Sequence, residues 1–239
     1  MLVGDIMNRE SLILKYLIVI ILFILFIFCY KQGIFETLTS SFVKPTSNIY
    51  TVEVNRYGNY HSQIRSIVKQ LFPKGSNVSD LEKFQVLHDF VKEYLSYNYD
   101  AIATASRSND KTSISDANQV MDCFKLRTAV CGGYALMYED LCEEAGLRCD
   151  YVSGKANFLS SKNIGHAWNA VYLNGKCYHV DVCWDDTGAG EYEFFMRGTN
   201  YININKAQFR TWTQNFPFSE EGILRNKIKD DIVLELIVK

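Results

Sequence analysis

The dipeptide Asn174-Gly175 restricts the fold more than any other feature of the chain. It stands between two runs rich in β-formers, His166 to Leu173 and Cys177 to Trp184. An Asn-Gly pair supplies the two positive-φ residues that a two-residue hairpin turn demands. In such a hairpin Leu173 faces Lys176, so further out His166 faces Cys183 and Trp168 faces Asp181. Side chains alternate between the two faces of a sheet, which puts His166 and Asp181 on one face as diagonal neighbours, within reach of an imidazole–carboxylate hydrogen bond. A slip of one residue would separate them.

A third group earlier in the chain gives that pair a meaning. In Ala129-Val130-Cys131-Gly132-Gly133-Tyr134-Ala135 a cysteine opens an amphipathic helix, with Ala135, Leu136, Tyr138, Leu141, Cys142 and Ala145 on its apolar face and Gly146 placed to end it. Unpaired N–H groups and the helix dipole favour thiolate at such a position. Gly132 and Gly133 remove side chains beside the sulfur, which lets a substrate backbone approach and the first turn pack closely. Cys131 would attack a carbonyl carbon, His166 would hold the thiolate and protonate the leaving amine, and Asp181 would orient the imidazole. The Cys131 N–H is the natural oxyanion donor, with Gln119 the candidate for a second. By itself the stretch also reads as a small buried hydrophobe beside a turn. His179 shares the Asp181 face and competes as base. Cys183, mid-strand opposite His166, competes as nucleophile but has no helix dipole. Trp184 is expected to pack against the site wall, with Gly132, Trp168 and Cys183 as further wall or modulating residues.

The net charge of -2 over 239 residues, with no basic stripe, gives no reason to expect a nucleic-acid partner. The seven cysteines show neither CxxC pairs nor small-domain density, which argues against a disulfide framework. Cys177, His179 and Cys183, with Cys142 or Cys149, have no usual zinc spacing, so no metal and no cofactor is expected. Asp185-Asp186 reads as a hydrated turn in preference to a calcium site.

Leu12 to Tyr30 carries a single charge, Lys15, and approaches the ~20 residues needed to cross a bilayer. With no Ala-x-Ala site after it, this run reads as an uncleaved anchor at 12-30 behind a short tail at 1-11. The expected localisation is a single-pass membrane protein with its catalytic domain outside the cytoplasm. Residues 31-48 form a Ser/Thr-rich linker. Ile49 to Asn55 alternates as a strand. Ile64, Ile67, Val68, Leu71 and Phe72 have helical spacing that stops at Pro73-Lys74-Gly75, and Ser79 with Glu82 begins a second helix carrying Phe84, Leu87, Phe90, Val91, Tyr94 and Leu95. His88, inside that stripe, reads as structural or solvated. Ser106 to Asp116 reads as an exposed loop, followed by a short helix from Asp116 to Cys123.

Three ordered motifs resemble the transglutaminase-like superfamily: Val130-Cys131-Gly132-Gly133-Tyr134-Ala135, His166-Ala167-Trp168-Asn169 and Asp181-Val182-Cys183-Trp184-Asp185. The resemblance runs from about residue 80 to 218 and implies an α+β, papain-like fold in which a Cys-bearing helix packs on an antiparallel sheet bearing His and Asp. It implies Cys131, His166 and Asp181 as the catalytic triad of a domain at 49-218, with 219-239 as an extension. Within that extension, Ile232 to Val238 is either a strand added to the sheet or an exposed partner site. Ala129 stands where the family often has Gly. Cys183 stands at its usual Thr position, which raises the prospect of an inactivating Cys131–Cys183 disulfide. The expected chemistry is membrane-anchored acyl transfer on peptide or protein amides through a thioester, with hydrolysis slightly ahead of amine transfer. The alternative is an inactive membrane-tethered binding or scaffold module with the same fold.

Overall fold

The computed structural model describes residues 48–108, 111–158, 161–188, 192–204, 210–212 and 214–239. The expected tail at 1-11, the span at 12-30 and the linker up to residue 47 lie outside the described residues. Among the described residues no helix is long and apolar enough to cross a membrane.

Strand β1 (Asn48–Val54) leads into helix α1 (Tyr60–Leu71), whose Asn59 cap accepts from the Ser62 N–H at 3.0 Å. Its buried stripe is Ile64, Ile67, Val68 and Leu71, and it ends just before Pro73. Helix α2 (Asp80–Tyr94) begins at Ser79, which accepts from the Glu82 N–H at 3.3 Å. Only half of the capping box forms, because the Glu82 carboxylate is taken by Tyr50 at 3.1 Å and Lys229 at 2.8 Å. The strip β2 (Ser96–Tyr97) pairs in parallel with β3 (Thr128–Ala129), and between them lie α3 (Tyr99–Ser108), α4 (Thr112–Asp116) and α5 (Val120–Leu126). The loop expected at Ser106 to Asp116 is therefore mostly helical. Asn98 caps the Ala101 N–H at 2.9 Å, Ser113 ties α4 to the Ala101 carbonyl at 3.0 Å, and the buried face of α3 consists of Ala101 and Ala105.

Helix α6 (Cys131–Glu144) is followed by the four-stranded sheet of β4 (Cys149–Phe158), β5 (Ser161–Leu173), β6 (Lys176–Val180) and β7 (Arg210–Trp212), in the order β6-β5-β4-β7 and antiparallel throughout. Gly146, at φ +75°, closes α6 while the Leu147 N–H reaches back to the Cys142 carbonyl at 2.9 Å. Helix α6 sits in the main core with α1, α2 and one sheet face. Tyr138 donates to the Phe84 carbonyl at 3.0 Å, Tyr60 to Asp140 at 2.6 Å, and the Asn169 amide to the Ala135 carbonyl at 3.0 Å. The other sheet face carries Val152, Trp168, Ala170 and Cys177 in a second cluster with Phe216 and Phe218.

The hairpin forms as its turn dictates. Asn174 and Gly175 lie at φ 51° and 75°, and Leu173 pairs with Lys176 through to Asn169 with Val180. It ends sooner than expected: the chain leaves the sheet at Asp181 and enters helix α7 (Val182–Thr187). Cys183 is consequently in a helical turn and does not face His166 across a ladder, nor does Trp168 face Asp181. Helix α8 (Thr199–Ile204) follows, and the run Ile232 to Val238 forms β8. This last strand does not join the four-stranded sheet but pairs in parallel with β1, from Asn48 with Ile232 to Val54 with Val238.

Candidate active site

Cys131 is the first residue of α6 and is partly exposed. His166 comes from β5 where β6 no longer covers it, and Asp181 comes from the junction of β6 and α7. Both are buried. The structure brings these three side chains together. His166 Nε2 lies 2.6 Å from Asp181 Oδ2, which leaves Nδ1 as the nitrogen that hydrogen-bonds Cys131. The other oxygen, Asp181 Oδ1, accepts the Trp184 N–H at 3.0 Å and so caps α7. One carboxylate thus holds the imidazole and starts the next helix. The Trp184 ring stacks on His166 at 4.4 Å and 24°, a face well suited to an imidazolium, while Trp168 lies at 5.9 Å.

The electrostatics follow from these contacts. Burial acts to raise the Cys131 thiol, but the hydrogen bond and charge of His166 and the Ala167 N–H overcome it and hold the thiol below its ordinary value. Burial acts to lower His166, yet the charge and hydrogen bond of Asp181, together with Cys131, push it up to about 9. Cys123 and Cys177 go the other way, driven by burial up to about 12 and about 11.

Other residues singled out in the sequence occupy different places. A Cβ on Gly132 would stand 2.2 Å from Asn118 Oδ1, and one on Gly133 would stand 2.7 Å from Cys123 Sγ and 2.8 Å from Ala129 Cβ. These glycines make room for the protein's own packing, not for a substrate backbone. Gln119 is exposed at the start of α5, and it is its neighbour Asn118 that lies against the first turn of α6. Trp168 is buried behind the site and donates to His179 Nδ1 at 3.0 Å, while His179 stacks on Phe218 at 3.6 Å. His179 therefore belongs to the second cluster, away from the thiol. Cys183 and Trp184 line the cleft above Cys131, and both Cys131 and Cys183 are free thiols.

A second histidine–carboxylate cluster centres on His88, which lies outside the three sequence motifs. His88 is fully buried, with Nδ1 2.9 Å from Asp89 and Nε2 2.9 Å from Asp185, so it is not solvated. Burial opposes its charge, but the two carboxylates prevail and its pKa rises to about 9. Asp185 also accepts the Phe194 N–H at 2.7 Å, and Asp186 accepts from Tyr134 at 2.6 Å. The two aspartates brace α7 against α2 and α6 and do not form a hydrated turn. No local pattern marks these contacts, since the His88 and Asp185 partners are 97 residues apart.

A helix-borne thiol set against a sheet-borne imidazole and its carboxylate defines the class of site. Residues 66–182 match the model of the transglutaminase-like superfamily. Kyphoscoliosis peptidase of Mus musculus is 28% identical over 127 residues, 48% of this chain and 18% of the mouse protein. The Homo sapiens protein of the same name is 28% identical over 113 residues, 44% of this chain and 16% of its own length. The chain spans less than a fifth of these curated relatives. A solved structure of a TGase aligns at a TM-score of 0.45 and 15% identity, covering 83% of this chain and 50% of that one.

Proposed function

We propose that the chain is a cysteine-dependent hydrolase or acyltransferase acting on peptide or protein amides, with Cys131, His166 and Asp181 as its catalytic groups. The observation that carries this reading is the geometry, in which Cys131 at the start of α6 meets an imidazole that Asp181 holds at 2.6 Å, an arrangement that draws the thiol down and pushes His166 up to about 9. These contacts favour the thiolate–imidazolium pair over the neutral one. The thiolate adds to the amide carbonyl, and the Cys131 N–H, without an acceptor inside its helix, faces the developing oxyanion. The imidazolium gives its proton to the departing amine as the thioester forms, and Asp181 keeps the ring aligned. Water or an amine then resolves the thioester. No acidic side chain lines the cleft among the described residues, which gives a cationic amine acceptor no counter-charge and favours water.

We also propose that the apolar run from Leu12 to Tyr30 anchors this domain to a membrane as a single pass, with the domain outside the cytoplasm. Fractionation and protease accessibility of the full chain test that placement. The chemistry is tested by incubating the protein with a casein-like substrate, with and without a labelled primary amine. Cleavage, ammonia release and label are read by mass spectrometry. The expected products are cleavage or deamidation that vanish in Cys131→Ala, and identical products from that variant would overturn the mechanism.

A further inference from the structure

A cleft of about 420 Å³ opens at Cys131 and His166. Tyr97 and Tyr99, whose rings meet edge to face at 4.8 Å, form one wall with Ile102 and Ile114, and Ile164, Gly165 and Trp184 form the other. Apart from His166, no carboxylate, ammonium or guanidinium group lines it among the described residues. A charged substrate side chain seated there would lose hydration without gaining a counter-charge, whereas an apolar one gains by leaving water.

The edge of β5 adds a second constraint. Leu173 pairs with Lys176 across the two-residue turn, so the N–H and C=O groups of Leu173, Val171 and Asn169 point toward β6. The same series continues past the end of β6 to Ala167 and Gly165. The Ala167 N–H is spent on the Cys131 sulfur. Two residues further along, Gly165 is exposed, lines the cleft, and has open space where a Cβ would stand. Among the described residues no strand pairs with this edge at Gly165, and a strand edge of this kind takes up an extended main chain.

We propose that the cleft receives an extended peptide lying along the β5 edge at Gly165, whose side chain next to the scissile amide is aliphatic or aromatic and uncharged. This rests on the reading of Cys131 as the nucleophile. The test uses the full chain and three tripeptide chloromethyl ketones that differ only in carrying Leu, Asp or Lys beside the warhead. Each alkylates a thiolate with loss of chloride. The rate of labelling at Cys131, followed by mass spectrometry, is expected to be about tenfold or more higher for Leu than for Asp or Lys. In Ile114→Asp the advantage of Leu over Lys is expected to shrink to about threefold or less, because a carboxylate now faces the cleft. Iodoacetamide, which carries no side chain, reports the thiol alone. Rapid alkylation by iodoacetamide with equal rates for the three ketones would overturn the subsite and leave the nucleophile standing. Sluggish alkylation that is indifferent to His166→Ala would overturn the nucleophile and the subsite with it.

Discussion

His88 Nε2 lies 2.9 Å from Asp185, and Asp185 stands one helical turn beyond Asp181, whose own carboxylate holds His166 at 2.6 Å. The Asp185 N–H donates to the Asp181 carbonyl at 3.1 Å, so two histidine–aspartate pairs are joined through the first turn of α7. The buried pair ties that turn to α2. Trp184, between them in the chain, is held with its ring over His166.

Replacing His88 by Ala leaves Asp89 and Asp185 without their shared cation. Asp185 is buried, and burial already raises its carboxyl against the pull of His88. Loss of one partner of such a cluster is expected to cost about 3–5 kcal/mol, read as a lowered denaturant midpoint. The pH dependence has a definite sign. His88 is raised from 6.5 to about 9 on folding, so its contribution is complete below the unfolded value and fades as pH rises through the folded one. The difference in stability between wild type and His88→Ala should therefore narrow in alkaline solution. A gap that is constant with pH would show that the imidazole is not charged in the folded protein.

The site itself should show two limbs in its pH profile. The Cys131 thiol is held below its ordinary value and His166 is raised to about 9. Turnover of a peptide amide should hold across neutral pH, fall on the alkaline side near pH 9 as His166 loses its proton, and fall on the acid side as the thiolate is protonated. In His166→Ala the iodoacetamide alkylation of Cys131 should lose its neutral-pH reactivity and rise only toward the range of a buried thiol. Unchanged alkylation in that variant would mean that another group lowers the thiol.

How much of this could be read from the residues depends on the range of each interaction. Asn174-Gly175 set the hairpin register because the turn is local, and Cys131 could be placed at a helix start because Gly146 and the apolar face mark the helix. Asp181 reads as a strand residue at the end of a run of β-formers, although an Asp whose side chain caps the third N–H beyond it also signals a helix start, and it is there that the chain leaves β6. Only the last turn of α3 falls in the stretch from Ser106 that the sequence presents as loop, and the helix leaves no apolar stripe because its buried face is the small pair Ala101 and Ala105. The pairing of Thr51 with Glu235 and the bond between His88 and Asp185 join distant parts of the chain, and nothing in either segment alone announces its partner.

Asp181 has two duties that substitution can separate. Asp181→Asn retains an oxygen able to accept the Trp184 N–H but removes the charge that raises His166. It should fold normally, lose activity by a factor on the order of 10²–10⁴, and move the alkaline limb to lower pH. Asp181→Ala should add a stability loss of about 1 kcal/mol from the missing cap. Equal stability in the two variants would indicate that the cap contributes nothing measurable.

The packing of the first turn of α6 gives the most specific test. Asn118 donates to the Ile114 carbonyl at 2.8 Å, and its Oδ1 would stand 2.2 Å from a Cβ at position 132. Removing a helical glycine would ordinarily stabilise by roughly 0.5–1 kcal/mol. The clash outweighs that gain, because crowding a packed site costs about 1–3 kcal/mol, so Gly132→Ala should be destabilising and should slow alkylation of Cys131 beside it. In an Asn118→Ala background the nearest neighbour left to that Cβ is the Cβ of residue 118, at an ordinary 3.4 Å. There the same substitution should become neutral or slightly favourable, a coupling that a double-mutant cycle of denaturant midpoints reads directly. If Gly132→Ala costs the same in both backgrounds, the glycine is needed for a reason other than Asn118.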